Sequence, residues 1–383
     1  MYKKLSYKLH LWLGLLTGII VLFVSLTGCI LCFEDEIKSY TEPYNFVGKR
    51  QERFLLPSEL IPIASRAVPA AGVSTMKTRI DYRGENLSVV VLFFNAGKLY
   101  SVYVNPYTGK VLQVKNLSKD FFRIIRAGHR TLWLGAAGKI INGTAVIMFL
   151  ILLVTGLILW FPRRWSKTNI RKSLSIKWGA GFKRLNYDLH NVPGFYVFII
   201  VFMLGVSGLM ISFKWVNESV YRMAALGKPY PKVMAVQSDT TRAAISRPDK
   251  SEDRLLIRLY KAYGKGREIN VSLFPVTQPA EPLWAIINAG QTESIADAES
   301  RYGREQRYFD QYTLRELKNG DIENSSLTDA AFGEKVIRIN YDLHTGRVGG
   351  IYTKILAFCA SLIAASLPVT GFMIWKGRKK KKR

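Results

Sequence analysis

The chain has 383 residues, 49% of them hydrophobic, and a formal net charge of +27 at pH 7. A wholly soluble enzyme rarely combines these values, and a disordered basic protein has far fewer apolar residues, so both classes are excluded. The apolar residues concentrate in four runs without charged residues, and basic residues concentrate at the ends of these runs. This distribution indicates a membrane protein.

Each run is long enough for one transmembrane helix, since about 20 apolar residues cross a bilayer in helical form. The runs cover residues 11–33, 140–162, 191–213 and 355–375. The flanking segments 1–10, 163–190 and 376–383 are rich in Lys and Arg and contain one acidic residue, Asp188. By the positive-inside rule, these segments and both termini are predicted to be cytoplasmic.

This topology predicts a multi-pass protein of a bacterial inner membrane. The predicted parts are the cytoplasmic N-terminus with the first transmembrane helix (1–33), a periplasmic domain (34–128), the second helix with an external flank (129–162), a basic cytoplasmic loop (163–190), the third helix (191–213), a second periplasmic domain (214–343), the fourth helix with an external flank (344–375) and a cytoplasmic tail (376–383). The lipid bilayer is therefore an expected partner. Nucleic acid is not, because the basic residues are divided among membrane flanks.

The order of helix, external domain and helix occurs twice, which predicts two parallel repeats related by an axis along the membrane normal. Equivalent residues in the two copies are His10 and His190, Gly14 and Gly194, Gly28 and Gly208, His129 and His344, and the pairs Thr155-Gly156 and Thr370-Gly371. We interpret the small pairs Thr27-Gly28 and Ser207-Gly208 as helix-packing features. A lipoprotein signal before Cys29 is an alternative for the first run.

The two external segments are predicted to be small α+β domains. Periodicity and turn residues predict, in the first, a helix at 56–68, strands at 78–82, 87–94 and 99–104 and a turn at 105–109. In the second they predict a helix at 251–263, strands at 268–274 and 282–288, a flexible loop at 289–305 and a turn at 310–313.

All four histidines of the chain flank the apolar runs. His10 and His190 immediately precede the first and third runs, whereas His129 and His344 lie eleven residues before the second and fourth. Eleven residues make about three helical turns, so if the helices continue outward, each external histidine lies on the same helix face as the start of its apolar run. We predict one histidine pair at each membrane surface, with each ring near a helix N-terminus, where the helix dipole favours the neutral form.

Two histidines at equal depth suit haem iron, which needs two axial ligands, better than zinc, which takes three or four protein ligands. Gly14 and Gly194, one turn after His10 and His190, would leave room for the macrocycle. The sequence lacks a Cys-x-x-Cys-His motif, so the expected cofactors are two non-covalent haem b groups. For any single histidine, an ordinary residue at the membrane boundary is the alternative.

Arginines near the histidines are candidates for binding the haem propionates, although they could instead be topology signals or phospholipid contacts. The candidates are Arg126, Arg130 and Arg347 on the external side, and Arg163, Arg164 and Arg184 on the cytoplasmic side. The string Asn-Tyr-Asp-Leu-His occurs at 186–190 and 340–344, and we predict that Asp188 and Asp342 cap helices.

Several motifs together resemble the PepSY-associated transmembrane family over essentially the whole chain. They are Leu-His-Leu-Trp-Leu-Gly at 9–14, His-Arg at 129–130, Asp-Leu-His at 188–190 and Tyr-Val-Asn-Pro-Tyr-Thr-Gly-Lys-Val at 103–111. The resemblance implies an inner-membrane protein, often iron-regulated, with PepSY-type periplasmic domains, and it implies haem-ligand roles for His10, His129, His190 and His344. The second PepSY-like turn departs from the pattern, with Gln311 for proline and Leu314 for glycine, which predicts a remodelled copy.

The resemblance and the histidines together predict a haem-dependent ferric siderophore reductase. Electrons would cross from the cytoplasmic haem to the periplasmic one and reduce Fe(III) in an external chelate, and Fe(II) would be released because hard oxygen ligands bind it less tightly. No flavin or nicotinamide motif is present, so the donor is expected to be a quinol or a separate reductase. No protein acid, base or nucleophile is required.

Three other functions fit part of the sequence. The external domains could serve a binding or protease-regulatory protein without haem. A siderophore transporter would normally place ionisable groups within the bilayer, and the four runs contain none. A thiol-redox role for Cys29 and Cys32 is a further alternative, but the three cysteines, including Cys359, are more simply explained as small packing residues.

Overall fold

The computed structural model of the protein describes residues 2–49, 52–69, 76–95, 98–162, 166–242, 250–263, 269–288 and 294–379. The helices are α1 (Tyr2–Cys32), α2 (Glu34–Thr41), α3 (Pro57–Ala67), α4 (Phe121–Thr131), α5 (Gly135–Trp160), α6 (Lys167–Leu174), α7 (Phe182–Ser212), α8 (Lys214–Ala224), α9 (Ser251–Ala262), α10 (Ile295–Glu299), α11 (Phe332–Thr345) and α12 (Gly350–Lys379). The strands are β1 (Lys77–Tyr82), β2 (Val89–Asn95), β3 (Lys98–Val104), β4 (Val111–Asn116), β5 (Asn270–Phe274), β6 (Leu283–Asn288), β7 (Arg304–Phe309) and β8 (Glu316–Leu317).

The chain forms two compact units. A helical unit comprises Met1–Glu34, Ile124–Asn217 and Asn340–Arg383, and a sheet unit comprises Asp35–Arg123 and Glu218–Ile339. Each unit is therefore assembled from segments that are far apart in sequence.

The helical unit is built on the long apolar helices. Within the described part of the chain, four helical segments are long and apolar enough to cross a membrane: Tyr2–Cys32, Gly135–Trp160, Phe182–Ser212 and Arg347–Gly377. Helices α1 and α7 each pack against both α5 and α12, with small residues such as Ala360 and Ala364 buried between them. Small residues let membrane helices approach closely. The prediction of four transmembrane helices is confirmed, and the chain is a multi-pass membrane protein.

The helices that carry His129 and His344 do not continue into the membrane helices, so the condition under which the eleven-residue spacing would align each histidine with its run is not met. Helix α4 ends before Leu132 and Trp133, whose φ angles are 50° and 59°, and α5 then begins at Gly135. Positive φ values of this kind terminate a helix. Between α11 and α12, Gly346 and Gly350 are also left-handed, with φ angles of 76° and 62°.

The sheet unit contains one antiparallel sheet with the strand order β4-β3-β2-β1-β5-β6-β7-β8. Each external segment contributes four consecutive strands, and β1 pairs with β5 through Ile80↔Leu273, Asp81↔Ser272 and Tyr82↔Val271. The two segments predicted as separate domains thus share one sheet. Helices α3 and α9 contribute Leu60, Leu255 and Leu256 to the hydrophobic core on one face of this sheet.

Most predicted elements of the sheet unit are confirmed to within a few residues. The sequence did not predict β4, β7 and β8. Half of the residues of β4 and most of those of β7 are polar, and β8 has two residues, so each carries a weak hydrophobic signal. The prediction of a loop over residues 289–305 was wrong in part, because the segment contains α10 and the start of β7. Residues 289–293 lie outside the described part of the chain.

The PepSY-like turn keeps its geometry in the second segment, contrary to the predicted remodelling. The Asn105 side chain accepts hydrogen bonds from the backbone N–H groups two and three residues later, at 2.9 and 3.2 Å. Asp310 does the same, at 3.1 and 2.8 Å. Gly109 and Leu314 close the two turns with φ angles of 72° and 59°. The side chain of Asp310 therefore reproduces the asparagine turn, and Leu314 adopts the backbone conformation that glycine adopts in the first copy.

The first prediction concerns Asp310. Burial alone would raise the pKa of this carboxyl, but N–H donors including those of Asp239 and Thr313 hold it below its usual range. Its charge thus stabilises the fold above about pH 4, the ordinary aspartate pKa, and this contribution is lost as the pH falls through the lowered folded-state value. We expect Asp310→Asn to destabilise the sheet unit at pH 7 by about 1–3 kcal/mol.

Thermal melting of the full-length protein in detergent, followed by circular dichroism, measures this effect. The difference from the parent protein should shrink at low pH. The exposed Asp329 provides the control variant, Asp329→Asn. Equal melting shifts for the two variants, or a shift that persists unchanged in acid, would contradict the explanation.

Candidate functional site

Each of the four histidines is held by a neighbouring helix in the same way. Its Nδ1 atom contacts a backbone carbonyl oxygen and the hydroxyl of the Ser or Thr three residues later. The carbonyl and hydroxyl residues are Leu152 and Thr155 for His10, Val24 and Thr27 for His129, Leu204 and Ser207 for His344, and Leu367 and Thr370 for His190. The four Nδ1–hydroxyl distances are between 2.9 and 3.1 Å.

These contacts determine which ring nitrogen carries the proton. The hydroxyl proton of Thr155 is already donated to the carbonyl oxygens of Ile151 and Leu152, at 2.9 and 3.0 Å, so its oxygen accepts from the ring. A carbonyl oxygen can only accept. Nδ1 of His10 must therefore be the protonated nitrogen, and Nε2 keeps the lone pair that binds metals. Thr27, Ser207 and Thr370 also donate to carbonyl groups of their own helices.

The prediction that each ring lies near a helix N-terminus was wrong for all four histidines. His10 and His190 are each the ninth residue of their helices, α1 and α7, and the helix dipole acts mainly within the first turn. His129 and His344 lie in the last turns of α4 and α11, not near helix N-termini. The hydrogen bonds of Nδ1, rather than a helix dipole, fix the neutral tautomer at these positions.

A glycine follows each of the four hydroxyl residues, and each allows a histidine ring to approach the helix closely. The glycines are Gly156 beside His10, Gly371 beside His190, Gly28 beside His129 and Gly208 beside His344. A Cβ atom at these positions would lie 3.0 to 3.4 Å from the ring Cε1 atom, which is tight even before a larger side chain is added. The recurring unit is thus a Ser/Thr-Gly pair on one helix against a histidine on another.

The histidines face each other in two pairs. The ring centroids of His10 and His190 are 6.2 Å apart with an interplanar angle of 89°, and those of His129 and His344 are 6.1 Å apart with an angle of 54°. The structure thus brings together the two pairs that the sequence predicted. Among the described residues, no group of three or more His, Cys, Asp or Glu is arranged to hold a metal ion.

The separation within each pair matches one shared metal ion. Imidazole nitrogens bind metal ions at about 2.0 Å, so two rings whose nitrogens approached one ion from opposite sides would have centroids about 6 Å apart. The centroid distances and the available Nε2 atoms are compatible with one metal ion held between the two imidazoles of each pair.

The two pairs lie at opposite ends of the helical unit. Along α1, the rise from His10 to Thr27, which contacts His129, is about 25 Å. This distance approaches the thickness of the hydrocarbon core of a bilayer, about 30 Å. Each pair therefore lies near one end of the membrane-spanning helices.

A cavity of about 700 Å³ adjoins His10 and His190. Its lining is mainly aliphatic and aromatic, and its volume is in the range of small-molecule and cofactor sites. Gly14 and Gly194, which the sequence predicted to leave room for a macrocycle, both line it. A Cβ atom at these two glycines would make ordinary contacts with Leu152 and Leu367, at 3.8 and 3.4 Å.

The repeated Asn-Tyr-Asp-Leu-His string positions the histidines through its asparagine. The side-chain amide of Asn186 donates to the carbonyl of Thr370 at 3.1 Å, and that of Asn340 donates to the carbonyl of Ser207 at 3.2 Å. Thr370 and Ser207 are the hydroxyl partners of the histidines that end the two strings. In each copy of the string, the asparagine thus links the histidine-bearing helix by a hydrogen bond to the helix that orients the histidine ring.

The prediction that Asp188 and Asp342 cap helices was wrong. Both lie inside helices, α7 and α11. The carboxylate of Asp188 accepts from the backbone N–H of Lys177 at 3.2 Å and from Nε of Arg184 at 2.9 Å. It thus ties the preceding loop to the start of α7.

The arginines predicted to bind propionates have varied surroundings. Arg126 forms an ion pair with the buried Glu34, and Arg184 forms one with Asp188. The guanidinium of Arg347 lies 5.7 Å from the ring centroid of Tyr341. Arg130 is exposed, and Arg163 and Arg164 lie outside the described residues.

The sequence did not identify the hydroxyl residues and glycines as parts of the site. The signal was present, because Thr155-Gly156 aligns with Thr370-Gly371, and Thr27-Gly28 with Ser207-Gly208. From the sequence, Thr27-Gly28 and Ser207-Gly208 are interpreted as helix-packing features and the other two pairs only as equivalent positions of the repeat. These four pairs match the four histidines in number, and this match could have identified the hydroxyl residues and glycines as parts of the site.

The second prediction tests the close approach at Gly156. Gly156→Val would drive methyl groups into the His10 ring, and such overpacking costs about 1–3 kcal/mol. Gly377→Val is the matched control, since nothing lies within 4 Å of a Cβ atom there. Thermal melting in detergent should show a clear loss for the first variant and little for the second, and equal effects would contradict the proposed contact.

Comparison with known proteins gives one family. The family model described as PepSY-associated TM region matches residues 7–378, nearly the whole chain. No curated protein matches the chain.

Proposed function

Because the chain belongs to the PepSY-associated transmembrane family, we propose that it is a di-haem oxidoreductase of a bacterial inner membrane that reduces ferric chelates in the periplasm. The observation that supports this function best is the pair of facing histidines at each end of the helical unit. In both pairs the centroid distance suits one shared iron, and the hydrogen bonds of Nδ1 leave Nε2 as the ligand atom.

Haem rather than a bare metal ion is the cofactor that these surroundings favour. A bare ion with two protein ligands would need further donors, and within the described residues the structure groups no third His, Cys, Asp or Glu with either pair. The lining beside His10 and His190 is mainly apolar, as a porphyrin requires. Haem held at both pairs would supply reversible one-electron redox chemistry, linking a donor on one side of the membrane to a ferric chelate on the other.

The orientation of the two histidine pairs in the membrane follows from the charge of the helix flanks. Lys and Arg are concentrated at the end that carries His10 and His190, so this end is cytoplasmic under the positive-inside rule. His129 and His344 then lie on the periplasmic side. The donor is a quinol or a separate reductase, and the acceptor is a ferric siderophore or a similar oxygen-ligated chelate, which binds Fe(II) less tightly than Fe(III).

The protein contributes ligand geometry rather than acid–base catalysis. The Ser/Thr hydroxyls and the backbone carbonyls hold each imidazole in one tautomer and orientation, and hydrogen bonds of this kind raise the basicity of a ligating histidine. The apolar lining excludes water from the ring faces. These features would set the redox potential and the access to each site.

The third prediction concerns haem content. Removal of one axial ligand from either pair should abolish binding at that pair only. We expect two haems per chain in the parent protein, one in His190→Ala, one in His129→Ala and none in the double variant, measured by pyridine haemochrome assay of purified protein. A colourless parent protein, or an unchanged haem content in the variants, would refute the assignment.

The fourth prediction concerns transfer across the membrane. In proteoliposomes with a reducing donor on the side of His10 and an Fe(III) chelate on the side of His129, the parent protein should produce Fe(II), detected with a ferrous-specific dye. His10→Ala and His344→Ala should each abolish this production, because either one interrupts the route. Tyr196→Phe, at an exposed side chain of α7, is the control. Fe(II) production that persists in both histidine variants would contradict the route.

A further inference from the structure

The cavity beside His10 and His190 adjoins a second, more open cleft of about 890 Å³. The two spaces share a wall formed by Tyr7, Leu159, Trp160, Tyr187 and Asn191, all of which line both. The indole of Trp160 stacks in parallel on the ring of Phe195, with centroids 3.7 Å apart and planes 4° apart. Beyond the residues that line both spaces, the lining of the cavity is mainly apolar, whereas that of the cleft includes Lys3, Lys4 and Lys172.

The cleft is strongly cationic. Lys3, Lys4, Lys172 and Arg184 line it, and no Asp or Glu is among its described lining residues. Arg184 is partly neutralised by Asp188, and the ammonium group of Lys3 donates to the carbonyl of Phe161 at 2.6 Å, which places it at the end of α5. Lys4 and Lys172 are exposed. The cleft thus offers several cations beside an apolar site.

We infer that this cleft binds the two propionate carboxylates of the haem held by His10 and His190. The inference rests on the proposed function and assigns an orientation to that haem. A haem has an apolar macrocycle and two carboxylates at one edge. The macrocycle suits the apolar cavity, but a carboxylate buried there without a partner would be very costly. The cations of the cleft lie on the far side of the residues that line both spaces. The edge of the haem that carries the carboxylates therefore faces the cleft.

The inference adds Lys3, Lys4 and Lys172 to the propionate-binding residues, which the sequence had sought only among arginines. Cations close to a redox centre favour its less positive, reduced form. The cleft should therefore raise the midpoint potential of this haem as well as retain it. Anionic phospholipid headgroups could also occupy a cationic cleft at a membrane surface, but lipid binding alone would leave the haem unaffected by the lysines.

The test compares two double variants that remove the same charge. Lys4→Gln/Lys172→Gln changes the cleft, whereas Lys8→Gln/Arg171→Gln changes exposed cations on the same helices that do not line it. Full-length protein in detergent is examined by optical redox titration and by the rate of haem transfer to apomyoglobin. In the cleft variant, one of the two haems should have a lower midpoint potential and be lost about three- to tenfold faster, as expected for two partly exposed ion pairs.

The control variant should match the parent protein, and the haem at His129 and His344 should behave normally in both variants. Lys4→Arg/Lys172→Arg should restore the potential and the retention. Unchanged potentials and loss rates in the cleft variant would overturn the inference, as would equal changes in the control. A parent protein without haem would instead overturn the proposed function. If Lys4→Gln/Lys172→Gln fails to accumulate in the membrane, the single variant Lys172→Gln is measured in the same way, with Arg171→Gln as its control.

Discussion

The hydrogen bonding of the four histidine Nδ1 atoms is the constraint on which the site depends. Each Nδ1–H group points at a carbonyl oxygen and a hydroxyl oxygen of another helix, and both oxygens are restricted to accepting. This arrangement settles the tautomer, the ring orientation and the register between two helices at once. Such pairing of polar groups between neighbouring helices is favoured in a membrane, because a polar group without a hydrogen-bond partner in hydrocarbon is energetically costly.

The constraint also explains why small residues lie where they do. The hydroxyl must belong to Ser or Thr, which can donate back to its own helix while accepting from the ring. The next residue must be glycine, because the ring lies against the helix surface at that level. A Ser/Thr-Gly pair therefore has both a packing role and a chemical role. Asn186 and Asn340 strengthen the same contacts from the histidine-bearing helices.

The sequence predicted the membrane helices and the histidine pairs because both leave strong one-dimensional signals. Charge-free runs of the right length, and histidines spaced equally from them, need no knowledge of neighbouring helices. The single sheet was not predictable in the same way, since the pairing of β1 with β5 joins segments almost 200 residues apart. The break at Leu132 and Trp133 was missed because left-handed backbone at non-glycine residues has no clear sequence signature. The asparagine contacts were missed because their acceptors are backbone carbonyls, which every residue has.

Because one local unit occurs four times, any difference between the two ends of the helical unit must come from its surroundings. The ring planes are nearly perpendicular in the pair of His10 and His190 but inclined at 54° in the other pair. One end carries a lysine-lined cleft, whereas near the other the guanidinium of Arg126 is paired with buried Glu34. Unpaired cations favour a reduced centre and paired ones do so much less. Two sites with the same ligands can therefore differ in potential. The cleft would raise the potential of the haem that receives electrons first, so outward transfer would draw on the free energy of the donor and of Fe(III) reduction rather than on this difference.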